Sequence, residues 1–520
     1  PSFDGSRRPE GATRPSFDRS RRPDGVARPS FDGNRRPDGA GKPSFGGRSG
    51  GPRGERPAFR GQGRPVRGEE KPVTQTDGLP ARRIALAVIR AVTEQDAYAS
   101  LVLDEKLRNC GLSVADRRLA ARLAYDTIEH LLTLDHALNQ IMAKQDTDIK
   151  LRNVLRLGAC QLLLEDRIPE SAATNTSVAL CKEIGMEGLA GVCNGILRNL
   201  IRQKDELSWP DPVQEPAAAM SIRHSVPVWL VEKLTADYGD DAERLMGYHV
   251  PETYVTIRPN LTLTDEAAFA ALMGRKVWDK EPGLTPGSWR IRGMVDIGRD
   301  ADFLGGRFSI QGEGSMMACM AAEVKPGMQV LDACAAPGGK TCLMAEMMNG
   351  TGRVQAWELH PHRTELIAAQ AKRLHLENIR PMTRDATRHR EELDQTMDVV
   401  LLDAPCSGLG VMADKPDVKY RVTESSLAEL TQTQAALLDA VATYVKRGGR
   451  LVYSTCSMLK EENVRQVEAF LVRHPEFELA PLPESIPERF RQYADVGLQL
   501  LPYRDQVEGF YICPMRRKRV

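Results

Sequence analysis

Met328-Gln329-Val330-Leu331-Asp332-Ala333-Cys334-Ala335-Ala336-Pro337-Gly338-Gly339-Lys340-Thr341 is the stretch on which the fold turns. Its first six residues form the apolar run of a buried strand. One proline and two glycines then impose a tight turn, and residues 340–348 predict a helix. The same rhythm continues downstream. Residues 353–357 predict a second strand, Pro361 opens a second helix, and strands follow at 379–383 and 398–403. A helix over 424–446 and a strand over 450–454 complete the series. Strands and helices alternating in this way imply a doubly wound parallel sheet, whose ligands sit at the carboxyl ends of the strands.

The turn itself narrows the ligand. Gly338 and Gly339 let backbone N–H groups approach a bound group closely, and the helix N-terminus favours an anionic part such as a carboxylate. A phosphate-binding P-loop would place glycine at position 334, where this chain has Cys334, and the spacing of a dinucleotide fingerprint is not met. Acids stand at the following strand ends. Glu358 comes after the second strand, where a carboxylate accepts from both hydroxyls of a ribose. Asp385 comes after the third, facing an adenine amino group, and Asp403 ends the fourth. One such acid is usually a turn or helix cap. Three in succession along the ligand edge suit a nucleoside cofactor, and a ribose site without a phosphate loop points to S-adenosylmethionine rather than ATP or NAD.

Two cysteines leave neighbouring strands at that edge, in Asp403-Ala404-Pro405-Cys406-Ser407-Gly408 and Ser454-Thr455-Cys456-Ser457. Both sit in polar turns and should meet in one cleft. Cys319, Cys334 and Cys342 read instead as small apolar fillers. Carbon 5 of cytosine is too weak a nucleophile to take a methyl group from a sulfonium directly. A thiolate added at carbon 6 makes carbon 5 enamine-like and able to attack. An acid near ring nitrogen 3, a place for Asp403, stabilises the adduct, and a base then removes the carbon 5 proton so that the thiol leaves. A base inside a duplex is out of reach, which favours single-stranded or locally opened RNA. On these grounds alone either cysteine could be the attacking one.

Working toward the N-terminus, residues 206–320 predict a small α+β unit. It has a Pro-rich entry, a helix over 227–247, a strand at 254–258, a helix at 264–273 and strands near 289–297 and 307–311. Residues 79–205 carry helical 3,4 spacing from Ile84, Ala87, Val88 and Ala91 onward, with helices near 116–132, 149–165, 171–184 and 187–202. That is an all-α domain. Residues 1–78 hold a 14-residue repeat, Pro1-Ser2-Phe3-Asp4 recurring as Pro15-Ser16-Phe17-Asp18, Pro29-Ser30-Phe31-Asp32 and Pro43-Ser44-Phe45-Gly46. Each unit is too short and polar to bury a core, so a disordered arm is expected there. The catalytic unit spans 321–520.

Charge follows the same division. Residues 1–71 hold 17 Lys+Arg against 9 Asp+Glu, and the remaining residues 54 against 61. A basic arm on a mildly acidic body suits a polyanionic partner, although the same charge also serves as a plain solubilising tail. No apolar run is long enough for a membrane span, and the start lacks the apolar stretch of a secretory signal. Because the first residue is Pro1 rather than Met, an upstream or processed start is expected. The ten cysteines include no paired CxxC motifs, so no metal site is expected. Their scatter suits reduced thiols in a cytoplasm.

At the residues quoted above the chain resembles the Nop/Sun (RsmB-like) family of S-adenosylmethionine-dependent RNA cytosine-C5 methyltransferases. Residues 331–341 are similar to the family's cofactor motif, and the Cys406 and Cys456 segments to its two cysteine motifs. The resemblance implies a Rossmann-like class I catalytic domain with Cys456 as nucleophile, Cys406 aiding product release and Asp403 contacting the target base. It implies cofactor contacts from Cys334, Ala335, Ala336, Pro337, Gly338, Gly339, Lys340, Glu358, Asp385 and Asp403. The helical region, with Val192-Cys193-Asn194-Gly195-Ile196-Leu197-Arg198 near its end, resembles a NusB-type RNA-binding domain. RNA, ribosomal in the first instance, is the implied partner, with no membrane and a monomeric chain. A transfer-RNA methyltransferase and a non-catalytic ribosome assembly factor are the alternatives. Two departures stand out. The family often has Gln-Asp where this chain has Gln311-Gly312-Glu313, and its arginines after the first cysteine motif give way to Ala413-Asp414-Lys415-Pro416-Asp417. Lys419 and Arg421 are left as candidate phosphate contacts, or as parts of a solvated loop.

Overall fold

The computed structural model describes residues 78–249, 254–293 and 296–520. The repeat arm expected over 1–78 lies, but for Gly78, outside the described residues. Seven helices come first: α1 Leu79–Gln95, α2 Ala99–Arg108, α3 Val114–Glu129, α4 Leu131–Ile141, α5 Ile149–Leu163, α6 Glu170–Glu183 and α7 Ala190–Gln203. Asp148 caps α5, accepting from Lys150 N at 2.8 Å. From there α5 runs through the middle of the bundle, burying Leu151, Val154, Leu155, Leu157 and Cys160. It packs so closely that a Cβ on Gly158 would come 2.8 Å from Leu197 of α7. The chain has two more helices here than the pattern predicts. α2 keeps only three buried residues, and α4 follows α3 after the single residue His130, which hides the break.

The single helix expected over 227–247 is two, Val228–Tyr238 and Asp241–Met246, because Gly239 turns the chain at φ 57°. Four short strands then make an antiparallel sheet in the order β2-β3-β1-β4: β1 Tyr254–Pro259, β2 Lys280–Pro282, β3 Trp289–Arg292 and β4 Phe308–Ile310. The helix Glu266–Arg275 lays Phe269, Leu272 and Met273 on Ile257, Ile291 and Phe308 of this sheet.

The large sheet has the path β10-β12-β9-β8-β5-β6-β7. Its strands are β5 Gln329–Asp332, β6 Arg353–Glu358, β7 Ile379–Thr383, β8 Met397–Asp403 and β9 Val445–Thr455, followed by β10 Phe477–Leu479, β11 Leu498–Leu500 and β12 Phe510–Arg517. β9 to β7 pair in parallel, as the alternating pattern predicts. One edge of the sheet is antiparallel: β12 runs antiparallel between β9 and β10, and β11 pairs with it. Successive side chains go to opposite faces. Val330, Ala356, Val399 and Leu401 meet the helices 313–322, 339–347 and 361–373. Leu331, Trp357, Val400 and Leu402 meet the helices 424–442 and 464–473. With both faces covered, the parallel strands leave their carboxyl edge as the place for a ligand. No helix among the described residues is long and apolar enough to cross a membrane.

The loop after Cys406 reaches the helical bundle. Lys419, 5% exposed, donates to the carbonyls of Glu129 at 2.9 Å and His224 at 3.1 Å. Tyr420 Oη donates to Glu129 O at 2.9 Å, and the Arg421 guanidinium lies 4.1 Å over the Tyr98 ring. Neither phosphate contact nor solvated loop describes these residues. They fasten the catalytic unit to α2 and α3.

Candidate active site

The order reverses between β5 and β8, and the site forms along that crevice. From β5 the turn crosses to the next strand, Ala335 N donating to Trp357 O at 2.8 Å. Gly338 takes φ 109°, and a Cβ there would lie 3.2 Å from the Ile367 backbone, so only glycine suits the position. Gly339 opens the helix Gly339–Met347. Thr341 Oγ1 donates to Asp332 Oδ2 at 2.6 Å, behind the turn, while Asp332 Oδ1 is buried without a partner. Burial pushes the Asp332 carboxyl up to about 7. Residues 334–339 therefore present backbone around a cradle with little side-chain bulk.

Glu358, 4% exposed, ends β6. Its Oε1 accepts from His360 N at 3.1 Å and Arg363 Nη1 at 3.3 Å, which leaves Oε2 to accept from the hydroxyls of a ribose. A glycine cradle followed by a buried carboxylate at the next strand end fits S-adenosylmethionine. Asp385 stands apart from the rest. It closes its own turn, accepting from Thr387 Oγ1 at 2.6 Å, Thr387 N at 3.0 Å and Arg388 Nε at 3.1 Å, bonds that hold its carboxyl below the usual range. Cys334 lies in the cradle wall, and burial pushes its thiol well up, so it takes part through backbone and shape.

Lys340, the second residue of the helix Gly339–Met347, reaches to Asp403. Its Nζ lies 2.7 Å from Asp403 Oδ2 and 5.2 Å from the centre of the Phe510 ring. Burial works against its ammonium form, but Asp403 outweighs burial and raises it. Asp403 Oδ1 accepts from Ser454 Oγ at 2.8 Å, across the register that pairs Asp403 with Ser454. Because β8 and β9 are parallel neighbours, the turns that follow them emerge side by side. Cys406 Sγ and Cys456 Sγ lie 3.2 Å apart, both partly exposed. The hydrogen bond from Cys406 lowers Cys456 below the ordinary thiol value, against the opposing pull of burial. The same contact, with burial, holds Cys406 well above that value. Either sulfur can be the donor in this contact; with Cys406 donating, Cys456 is the one favoured as a thiolate.

Backbone contact closes the wall. Gly410 N donates to Cys456 O at 2.9 Å, and Gly509 N to Gly410 O at 2.8 Å. A Cβ on Gly410 would stand 1.9 Å from Gly509 O, so three chain segments can cross only at glycine. Three participants escape the sequence reading: Phe510, whose strand β12 was not expected, and the buried Gln434 and Glu462. Glu462 sits in Lys460-Glu461-Glu462-Asn463, which reads as a solvated surface. Only the fold reveals its burial.

Residues 319–516 match the family model described as 16S rRNA methyltransferase RsmB/F, and residues 79–202 match the NusB family. The chain is 35% identical over 443 residues to the probable ribosomal RNA small subunit methyltransferase B of Bacillus subtilis (strain 168), covering 84% of this chain and 98% of that protein. It is 32% identical to the protein of the same description in Synechocystis, over 84% of this chain and 100% of the relative. Among solved structures, PH0851 superposes with a TM-score of 0.72 at 24% identity, covering 86% of this chain and 100% of that one, a likeness of fold.

Proposed function

The chain belongs to the ribosomal RNA small subunit methyltransferase B family, and from that premise we propose that it methylates carbon 5 of a cytosine in small-subunit ribosomal RNA through a covalent adduct on Cys456. It is an S-adenosylmethionine-dependent RNA methyltransferase. The observation that carries the finer reading is the pair of thiols 3.2 Å apart beside the Lys340–Asp403 ion pair. A methyltransferase acting on an oxygen or an amino nitrogen has no need of two such sulfurs, whereas carbon 5 needs a nucleophile at carbon 6.

Cys334, Ala335, Ala336, Pro337, Gly338, Gly339 and Glu358 would hold the cofactor, with Asp385 at the adenine end. The bound cofactor supplies an electrophilic methyl group. Cys456 bonds to carbon 6 as the 5,6 double bond opens, and charge moves onto ring nitrogen 3 and oxygen 2. Lys340 and Asp403 together offer a proton donor and an acceptor for that edge of the base. Carbon 5 then takes the methyl group, its proton passes to a solvent base, and the electron pair re-forms the 5,6 double bond as the carbon–sulfur bond breaks, leaving Cys456 as the thiolate. Cys406 is then within reach to protonate the departing sulfur. In this account residues 79–205 are the NusB-like RNA-binding domain, 206–320 a small α+β domain and 321–520 the methyltransferase domain.

Bisulfite sequencing of small-subunit ribosomal RNA tests the substrate. One protected cytosine should be present in cells carrying the gene, absent on its deletion and restored by the purified enzyme with S-adenosylmethionine. Loss of a protected cytosine from transfer RNA instead would move the substrate, and no change in any RNA would refute the proposal.

A further inference from the structure

Glu462 is fully buried, and its carboxylate is enclosed by donors from elsewhere in the chain. Oε1 accepts from Ser407 N at 2.8 Å and Gln434 Nε2 at 3.1 Å. Oε2 accepts from Ser407 Oγ at 2.6 Å and from the Ser457 hydroxyl. Ser407 follows Cys406, and Ser457 follows Cys456. We propose that Glu462 is a positioning residue for the two thiols: one buried carboxylate fixes their separation by holding the residue next to each. This rests on the cysteine chemistry proposed above and deepens it.

Glu462 lies just ahead of the helix Val464–Arg473 but does not cap it, and its bonds reach instead across 55 and 28 residues of sequence. Burying a carboxylate is costly unless it is well supplied with donors, and an apolar residue would fill the space without that cost. Here four donors meet it, three of them from the two cysteine turns. The Ser407 and Ser457 hydroxyls stand 3.1 Å apart on the same carboxylate oxygen, each one residue past a cysteine. Asn463 adds to the hold on the second turn, its Nδ2 donating to Ser457 O at 3.0 Å. The contact between the sulfurs lowers Cys456, and that contact lasts only while the turns keep this register. The negative charge of Glu462 itself acts the other way on Cys456. Geometry and charge therefore oppose each other, so they can be separated.

The test is the pH dependence of iodoacetamide labelling at Cys456, followed by mass spectrometry of its peptide in the free full-length enzyme. Glu462→Ala releases both turns, and the labelling midpoint should rise by about one pH unit or more as burial takes over. Glu462→Gln keeps the shape, since the serine hydroxyls can turn to accept from its amide. Its midpoint should stay or fall. Turnover should drop about tenfold or more in Glu462→Ala with the RNA KM within about twofold, and Glu462→Gln should recover most of it. If Glu462→Ala does not fold, Ser407→Ala/Ser457→Ala should raise the midpoint in the same direction. An unchanged midpoint in Glu462→Ala or the double variant, or a glutamine variant as impaired as the alanine one, would overturn the proposal. Because labelling needs no RNA, these results are independent of the methylation chemistry, whose own failure would appear as methyl transfer by Cys456→Ala.

Discussion

Lys340 Nζ and Asp403 Oδ2 lie 2.7 Å apart, joining the turn after the first strand of the large sheet to the end of its neighbour β8. In the proposed mechanism this pairing sets Lys340 to serve the base. Lys340→Met should then cut turnover about 100-fold, as loss of one charged donor at a developing anion does. Its Kd for S-adenosylmethionine, measured calorimetrically, should move less than about threefold. Loss of cofactor binding with normal turnover at saturation would return Lys340 to the cradle.

The hydrogen bond between Cys406 and Cys456 lowers Cys456 in the proposed arrangement, with Cys406 as donor, and burial pulls the other way. Below its midpoint Cys456 holds its proton and is unreactive, so labelling slows as pH falls. Removing the donor in Cys406→Ala leaves burial unopposed, and the iodoacetamide midpoint of the Cys456 peptide should move up. A midpoint that stays or falls would show that the two sulfurs are not in contact.

Lys419 is lowered to about 8 by burial between the catalytic unit and the helical bundle. The unfolded lysine keeps its proton to about 10.4, so over roughly pH 8 to 10 the unfolded chain binds more protons than the folded one. The contribution of this group to stability therefore grows with pH in that window. Calorimetric Tm values for the wild type should gain on those of Lys419→Met between about pH 7.5 and 9.5. A difference that does not vary with pH would mean that Lys419 is solvated.

Tyr420 Oη meets Glu129 O at 2.9 Å and Ser225 O at 3.0 Å in the same contact. Tyr420→Phe leaves Ser225 O short of a donor, while Glu129 O keeps Lys419, and should cost about 1 kcal/mol in denaturant unfolding. No loss would mean that this carbonyl finds water instead.

The parts of the site that were legible in sequence are those made by one local pattern. Residues 328–341 spell strand, turn and helix in a row, and each cysteine lies just past a strand end, so parallel pairing alone brings Cys406 to Cys456. What escaped depends on partners distant in sequence. The helix Glu313–Ala322 buries Met316, Met317, Ala318, Cys319, Ala321 and Ala322, and being apolar nearly all round it shows no helical stripe. β12 carries Phe510 to Lys340, but its antiparallel place between β9 and β10 is set by the sheet edge and not by its own residues. Glu462 stands in a charged stretch between Lys460 and Arg465, and nothing local distinguishes it from an exposed acid. Asp385 is legible as a strand-end acid, but the bonds by which it holds its own turn are visible only in the structure.

The most direct measurement follows from the division of labour between the sulfurs. Cys406→Ala and Cys456→Ala enzymes are incubated with small-subunit ribosomal RNA and methyl-labelled S-adenosylmethionine, then run on a denaturing gel. The account predicts that Cys456→Ala yields neither methylated RNA nor any cross-linked species, because carbon 6 is never attacked. Cys406→Ala should accumulate a labelled protein–RNA adduct that survives denaturation, because the departing sulfur lacks its proton donor. Methylated free RNA from the Cys456→Ala enzyme, or an adduct formed in the absence of Cys456, would contradict it.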